Sequence, residues 1–344
     1  MSSIQSQSTA VRIGTAEPLI ECAVHINELI DGRFIVKKRI NEGAFGAIYE
    51  VALIQDQSTH MAMKLSLTKN DAMDQLAKFE ISLLRKLSAE SSCFPAFHAT
   101  GMVRGYRYVV MDLLGPSLAD LQMLMPGERF SLSTTIRVGL QIIDAVEVMH
   151  NAFFLHRDIK PGNMAVGHSN VRKIYLFDFG LSRCYTQKKR NPEFLSCVPN
   201  VRKRRSVEHI TTHENRDSAR RDDLWSVMYT LIEFTVGFLP WDHEREKSKI
   251  AEMKRNTKIE VLLQGCPLMF AVLLDYLTTL EYNSRPSYDY FRQAFRILCS
   301  ARQFDDSDLY DWEKKSNRCG DSASSTIDFR EGGLRSGIAN VRDH

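Results

Sequence analysis

The sequence predicts an α+β fold, in which a small antiparallel sheet with one helix precedes a larger, mainly helical part. The first observation is the alternation of apolar residues on both sides of a glycine-rich turn in residues 34–53, which indicates a β-hairpin. The second is the helical spacing of apolar residues in segments 71–89 and 133–150. The third is a helical pattern over residues 247–300, which two turn-forming segments interrupt. Strands at the start and helices afterwards make up the predicted fold class.

The glycine-rich turn is the first candidate for a ligand-binding loop. Gly43 and Gly46 allow backbone N–H groups to approach a phosphate, because no Cβ atom stands in the way. The candidate ligand-contacting residues of this hairpin are Ile40, Asn41, Gly43, Ala44, Phe45, Gly46 and Ile48. An ordinary hairpin turn would explain the two glycines equally well, so the loop alone does not decide the function.

A lysine and a glutamate fall on predicted surfaces that are otherwise apolar. Lys64 lies inside the short apolar strand 61–65, where a charge is unfavourable unless it is paired. Glu80 is four residues from both Leu76 and Leu84, and it therefore shares the apolar face of the first predicted helix. We expect an ion pair between Lys64 and Glu80. The alternative for Lys64 is an edge-strand lysine that extends its amine into water.

The most specific short motif lies in the middle of the chain. Asp158 and Asn163 are five positions apart within His-Arg-Asp-x-x-x-x-Asn, and Asp178 opens an Asp-Phe-Gly triplet. This spacing is the catalytic signature of protein kinases. Phosphoryl transfer needs a carboxylate that orients and deprotonates the attacking hydroxyl, which suits Asp158. It also needs oxygen ligands for Mg²⁺, which suits Asn163 and Asp178. Each residue alone could be a turn former, but the combination favours the catalytic interpretation.

Longer strings carry a resemblance to a known family. Segments 113–118, 154–161 and 221–226 resemble the casein kinase I superfamily, and segments 176–183, 236–241 and 310–313 resemble its tau-tubulin kinase branch. The resemblance covers about residues 34–313. It implies a two-lobed protein kinase fold, ATP and Mg²⁺ as cofactors, and serine or threonine hydroxyls of protein substrates as acceptors.

The resemblance also implies roles for individual residues. Lys64 and Glu80 would hold the ATP phosphates, and Lys160 would reach the γ-phosphate as a third catalytic residue beside Asp158 and Asn163. The lysine two positions after the aspartate is typical of serine/threonine kinases. Asp223 would brace the backbone of the catalytic loop.

The apolar run 106–114 is predicted to form the last strand of the small lobe and the connector between the lobes. Met111 would border the adenine pocket, and the main chain from Asp112 to Leu114 would hydrogen-bond the base. A plain core strand is compatible with the same pattern.

The segment after the Asp-Phe-Gly triplet departs from the resemblance. Residues 188–205 hold seven cations and one acid, Glu193; the cations are Lys188, Lys189, Arg190, Arg202, Lys203, Arg204 and Arg205. Lys203 and Arg204 align where the family has a glycine and a threonine that bonds the catalytic residues. Our hypothesis is that these cations recognise acidic or phosphorylated protein segments, because guanidinium groups match phosphate oxygens. The alternative is a solvated, mobile basic loop; few aromatic residues accompany the cations, so nucleic acid ranks lower.

A second functional class remains open at this point. Asn41, in place of the first glycine of the kinase loop, and the Lys203-Arg204 pair are compatible with a pseudokinase, a scaffold with weak or no transfer activity.

Composition restricts the setting of the protein. The chain has 344 residues and a formal net charge of +3, which gives no argument for nucleic-acid binding. Its seven cysteines form no Cys-x-x-Cys pair, and we interpret them as reduced thiols of a cytoplasmic or nuclear protein. The start lacks the pattern of a signal peptide, and no apolar run reaches membrane-spanning length. We expect a monomer that does not enter a membrane.

The predicted domain boundaries follow from these patterns. Residues 1–30 are expected to be a flexible tail, and residues 34–302 a kinase domain with lobes at 34–112 and 116–302. The C-terminal extension, residues 303–344, is polar and is expected to be mostly flexible.

Overall fold

The small lobe is a curled antiparallel sheet with one helix. The computed structural model describes residues 24–43, 46–185 and 218–318. The strands are β1 (Leu29–Ile30), β2 (Phe34–Gly43), β3 (Gly46–Leu53), β4 (His60–Leu67), β5 (Phe97–Val103) and β6 (Tyr106–Asp112), and the helix is α1 (Asp71–Glu90). The strand order is β1-β2-β3-β4-β6-β5, which places β4 near the centre.

The large lobe is mainly helical. Its helices are α2 (Leu118–Met123), α3 (Leu132–Asn151), α4 (Arg220–Val236), α5 (Lys247–Asn256), α6 (Ile259–Leu262), α7 (Leu268–Thr279), α8 (Tyr288–Arg302) and α9 (Asp311–Arg318). Its short strands are β7 (Leu114–Ser117), β8 (Phe154–Leu155), β9 (Met164–Gly167), β10 (Ile174–Leu176) and β11 (Arg183–Cys184), and two 3₁₀ turns lie at Pro126–Glu128 and Pro161–Asn163. The predicted two-lobed α+β fold is confirmed.

Period-two alternation gives the small-lobe sheet two different faces. Every second residue of the central strands enters one apolar core: Ala47, Tyr49, Val51, Met61, Met63, Leu65, Tyr108 and Val110. The residues between them, including Ile48, Lys64 and Met111, project from the opposite face because successive side chains of a strand alternate. This second face is the one that α1 covers, since Glu80 of α1 contacts Lys64.

Helix α1 begins at a strong capping residue. The side chain of Asn70 accepts a hydrogen bond from the Met73 N–H at 2.9 Å, and Asp71 and Asp74 lie in the positive first turn. The apolar side of the helix packs into the same core as the large-lobe helices, through Phe79, Leu83, Leu84 and Leu87. The helix is therefore held against both lobes.

Helices α3, α4 and α8 pack closely at a glycine. A Cβ atom on Gly139 of α3 would lie 3.0 Å from a methyl group of Leu231 on α4 and 3.2 Å from the ring of Phe295 on α8. Close packing at this point fixes the course of α3, whose last residue lies just before the catalytic loop.

The predicted N-terminal boundary is too late. Val24 and Ile30 are buried, β1 pairs with β2 through Leu29 and Ile35, and the hydroxyl of Tyr108 bonds to Asp31. Residues 24–30 therefore belong to the small lobe rather than to a tail, because their apolar side chains complete the sheet core. Residues 1–23 lie outside the described part of the chain.

The predicted C-terminal boundary at residue 302 is too early. Tyr310 and Trp312 are buried in the large-lobe core, and α9 follows the turn that begins after α8. The boundary was placed too early because the segment is mostly polar, and its two buried aromatic residues were not recognised as part of the core. Residues 319–344, which belong to the predicted flexible extension, lie outside the described residues.

Across residues 24–43, 46–185 and 218–318, no helix has both the length and the apolar character that crossing a bilayer requires.

We expect Gly237→Ala to destabilise the protein more than Gly32→Ala. Both glycines have positive φ, but a Cβ on Gly237 would also lie 2.7 Å from the Gly127 carbonyl, whereas none of the surrounding atoms lies within 4 Å of a Cβ on Gly32. The left-handed backbone alone costs about 1–2 kcal/mol for alanine, and overpacking adds about 1–3 kcal/mol. Urea unfolding of both variants measures the difference, and equal losses would contradict it.

Candidate active site

A half-buried lysine connects the two lobes at the cleft. Lys64 lies in β4 opposite Ile48 of β3 and Val109 of β6. Its amine is bonded to Glu80 Oε1 of α1 and lies 3.6 Å from Asp178 Oδ1. The ion pair expected from the sequence is thus formed. Burial would lower the pKa of Lys64, but the charges of Glu80 and Asp178 outweigh it and raise that pKa, so the amine is cationic at neutral pH.

The catalytic loop is attached to α4 through one buried carboxylate. Asp223 accepts hydrogen bonds from the N–H groups of His156 and Arg157, each at 2.8 Å. His150 Nε2 lies 2.8 Å from the same carboxylate, and His150 Nδ1 lies 2.7 Å from the Tyr288 hydroxyl. The residue that the family resemblance assigned to bracing the loop therefore does contact the loop backbone.

Asn163 connects the two candidate aspartates. Its side-chain amide donates to the Asp158 carbonyl at 2.8 Å and to Asp158 Oδ2 at 2.6 Å. The main-chain carbonyl of Asn163 accepts a hydrogen bond from the N–H of Phe177 at 3.1 Å, and Phe177 immediately precedes Asp178. Because the amide nitrogen of Asn163 faces Asp158, the side-chain oxygen is the atom that could bind a metal.

The Asp-Phe-Gly triplet is folded inward. The Phe179 ring is buried between the ring of His156, with 5.7 Å between centroids, and that of Phe94, at 5.9 Å. Asp178 has a φ of 66°, an uncommon conformation for a residue with a side chain. With Phe179 anchored in the core, the Asp178 carboxylate is left within 3.6 Å of the Lys64 amine.

The glycine-rich hairpin is partly described. Asn41 pairs with Ile48 across β2 and β3, and Asn41 Oδ1 accepts from the Glu42 N–H at 2.7 Å. Ile40 and Ile48 are half-buried. Ala44 and Phe45 lie outside the described residues, and Gly43 is paired with Gly46 where β2 and β3 meet.

The presence of glycine at position 46 has a structural cause that the sequence did not reveal. A Cβ atom at this position would lie 1.8 Å from the Leu65 carbonyl oxygen in the adjacent strand. The close approach of two strands therefore requires glycine here, independently of any phosphate.

At the connector between the lobes, Asp112 is predicted to hydrogen-bond the base through its main chain, and its contacts within the protein limit which of its groups could do so. Its N–H donates to the Ala96 carbonyl at 3.1 Å, and its carboxylate accepts from the Ala96 N–H and contacts His98 Nε2 at 2.8 Å. Because its N–H and its carboxylate are engaged within the protein, the Asp112 carbonyl is a better candidate than either for contacting a base. Met111 is half-buried, and Leu114 is buried at the start of β7.

Several expectations for the segment after Asp178 concern residues beyond the described part. The basic residues 188–190 and 202–205, including Lys203 and Arg204, lie in the gap between residues 185 and 218.

Sequence reasoning missed His150 as part of the site. It lies at the end of the predicted helix 133–150, and its two ring nitrogens contact Asp223 and Tyr288. A buried histidine that leads directly into a catalytic loop was the available signal.

The geometry defines a class of protein. A lysine–glutamate pair in a cleft between a sheet lobe and a helical lobe, next to the Asp158, Asn163 and Asp178 loops, is the arrangement of a nucleotide-using phosphotransferase. The chain belongs to the protein kinase family, because residues 34–295 match the family described as "Protein kinase domain". Such a domain implies, in general, the use of ATP and a divalent metal and protein substrates.

Two similar proteins agree with this assignment. A Dictyostelium discoideum protein, "Probable serine/threonine-protein kinase", is 34% identical over 292 residues. The match covers 84% of this chain, which spans only 58% of the length of that relative. The structure of vaccinia related kinase 3 aligns with a TM-score of 0.67 and 19% identity, and the alignment covers 84% of this chain and 94% of that one. At this identity, the structural likeness supports the fold.

We expect Asp223→Asn to lower the free energy of unfolding by about 3 kcal/mol, because a buried acceptor is replaced by an amide that cannot serve all three donors. Thermal and urea unfolding measure this loss, and Asp275→Asn, at an exposed position of α7, is the matched control.

The pH dependence gives a second measurement. Burial opposes ionisation of Asp223, but the contacts with His150 and the main-chain donors outweigh it and hold the pKa of the carboxyl below its ordinary value of 3.8. This stabilisation is therefore present above pH 3.8 and is lost as the pH falls through the lower, folded-state pKa. The difference between wild type and Asp223→Asn should shrink in that acidic range; a constant difference would contradict the assignment.

Proposed function

We propose that this protein is a serine/threonine protein kinase, which transfers the γ-phosphoryl group of ATP to hydroxyl groups of protein substrates. The observation that carries the proposal is the contact of Lys64 with both Glu80 and Asp178, beside the Asn163–Asp158 hydrogen bonds. A cation, two metal-ligand candidates and a candidate base are thereby held in one cleft.

The charged and oxygen-bearing side chains of the candidate cofactor site have the chemistry needed to bind ATP and magnesium. Lys64 offers a half-buried cation to phosphate oxygens, and the Asp178 carboxylate and the Asn163 side-chain oxygen are the hard ligands that Mg²⁺ prefers. When bound, ATP supplies the phosphoryl group, and Mg²⁺ neutralises charge on its phosphates. The two ligand residues sit next to an Asn163–Phe177 backbone bond, which keeps them close together.

Asp158 is the candidate for orienting and deprotonating the acceptor. It is buried, and the amide of Asn163 fixes one of its carboxylate oxygens at 2.6 Å. Lys160, two residues later, precedes the 3₁₀ turn, and its carbonyl accepts from the Asn163 N–H at 3.0 Å. Its position in the sequence supports serine or threonine as the acceptor. Catalysis would consist mainly of positioning and charge neutralisation.

Finer assignments are also part of the proposal. The strings in segments 113–118 and 221–226 support the casein kinase I superfamily, and those in segments 176–183 and 236–241 support its tau-tubulin kinase branch. The cations of residues 188–205 support a preference for acidic or phosphorylated segments. The scattered cysteines, with no Cys-x-x-Cys spacing, support a cytoplasmic or nuclear location.

We expect Asp158→Asn to lower kcat by about 10²- to 10⁴-fold, because the amide cannot accept the proton of the hydroxyl. Incorporation of labelled phosphate from ATP into a protein substrate measures it, with Asp275→Asn as a control that retains activity. Equal incorporation by wild type and Asp158→Asn would contradict the proposal and favour the pseudokinase interpretation that Asn41 suggests.

A phosphoserine near the acceptor is expected to raise kcat/KM for a peptide by about tenfold or more, because one charge-assisted hydrogen bond contributes about 1.5–3 kcal/mol. The measurement compares one peptide with and without the phosphate, at low and high ionic strength. Equal rates on both peptides would leave the basic residues without a role in substrate selection.

A further inference from the structure

One β-hairpin carries both candidate metal ligands at its base. Strand β9 begins directly after Asn163, and β10 ends two residues before Asp178. The strands pair from Met164 with Leu176 to Val166 with Ile174, and the Phe177 N–H closes the base by donating to Asn163. The spacing of Asn163 and Asp178 is therefore set by this hairpin.

The hairpin has little support from its own sheet. The order of the three-stranded sheet is β10-β9-β7, so β10 lies at an edge. The strands have three and four residues, and so short a ribbon is only marginally stable without further packing.

The tip of the hairpin, at Val171 and Arg172, is bonded to a segment that follows the residues matched to the kinase family. The indole N–H of Trp312 donates to the Val171 carbonyl at 3.1 Å. Arg172 donates to the Glu313 carboxylate at 2.8 Å and to the Ser307 carbonyl at 3.3 Å. These partners of the tip lie after residue 295, where the match to the kinase family ends.

Gln141 of α3 connects the tip to the same segment. Its side-chain oxygen accepts from the Ile174 N–H at 2.9 Å, and its amide donates to the Arg172 carbonyl at 3.0 Å and to the Tyr310 hydroxyl at 3.1 Å. One side chain thus bonds the first residue of β10, the tip and Tyr310.

The segment itself is firmly seated. The buried guanidinium of Arg137 lies 4.0 Å from the Tyr310 ring centroid and donates to the Asp308 carbonyl at 2.7 Å. The Tyr310 and Trp312 rings stack with 4.7 Å between centroids, and the Trp312 ring contacts that of Phe130 at 5.5 Å. Because this segment is itself held in place, its bonds to the hairpin tip restrain the position of the hairpin.

We propose that residues 307–313, here called the C-terminal clasp, are positioning residues for the metal site. By fixing the tip of the β9–β10 hairpin, the clasp fixes the relative position of Asn163 and Asp178 at its base. The metal-binding consequence rests on the proposed function; the effect on the hairpin does not.

The test uses the full chain with Trp312→Phe, which keeps an aromatic ring but removes the donor to Val171, and Gln141→Leu, which removes the bond to Ile174. Leu298→Ala, in α8 of the same core, is the control for a general loss of stability. Amide hydrogen exchange without nucleotide is measured at Ile174 and Phe177, at equal intervals below each melting temperature.

The expected result is about tenfold faster exchange at Phe177 in both Trp312→Phe and Gln141→Leu and no acceleration in Leu298→Ala. The proposed role of the clasp would be overturned if exchange at Phe177 in Trp312→Phe equals that of the wild type. It would also be overturned if exchange accelerates equally in Leu298→Ala.

A second readout concerns the metal. The Mg²⁺ concentration for half-maximal activity at saturating ATP should rise about tenfold in Trp312→Phe and in Gln141→Leu, as is typical when groups that support metal ligands are lost, while KM for the protein substrate stays constant. An unchanged Mg²⁺ requirement would overturn the effect on the metal site. If the wild type transfers no phosphate, the proposed function fails, and hydrogen exchange alone decides whether the clasp fixes the hairpin.

Discussion

The buried carboxylate of Asp223 is the constraint on which the site depends. A catalytic loop must turn sharply, so its N–H groups cannot all enter a helix or sheet, and a buried unpaired donor is unfavourable. Asp223 accepts from two consecutive loop N–H groups and contacts His150 of α3, so a single side chain joins α4, α3 and the loop. The position of Asp158, one residue further along, follows from this junction.

The cleft combines charges that would be unfavourable separately. Lys64 lies between two carboxylates in a half-buried position, and the formal charge of Glu80 alone would balance its own. The additional carboxylate of Asp178, held in a left-handed backbone conformation, leaves the group of three with a net negative charge. A cation bound near Asp178 would offset this excess, which fits the use of a divalent metal by protein kinases.

Local patterns predicted most elements and much of the site. Lys64 and Glu80 were paired from their unusual positions on apolar faces, because periodicity shows which face of a strand or helix is buried. The role of Trp312 could not be read in this way, because its burial depends on contacts with residues far earlier in the chain, such as Phe130 and Val171. The same holds for the contact between Gln141 and Tyr310, which joins parts of the chain that have no common periodicity.

The strand contact at Gly46 separates two meanings of a glycine-rich motif. A Cβ atom at position 46 would lie 1.8 Å from the Leu65 carbonyl oxygen, which excludes every larger residue there, whatever occupies the cleft. Selection for a well-formed sheet would therefore preserve this glycine even in a descendant that had lost phosphoryl transfer. In any search for degenerate enzymes among related chains, a retained glycine at this position is a marker of sheet integrity and carries no weight as a marker of turnover.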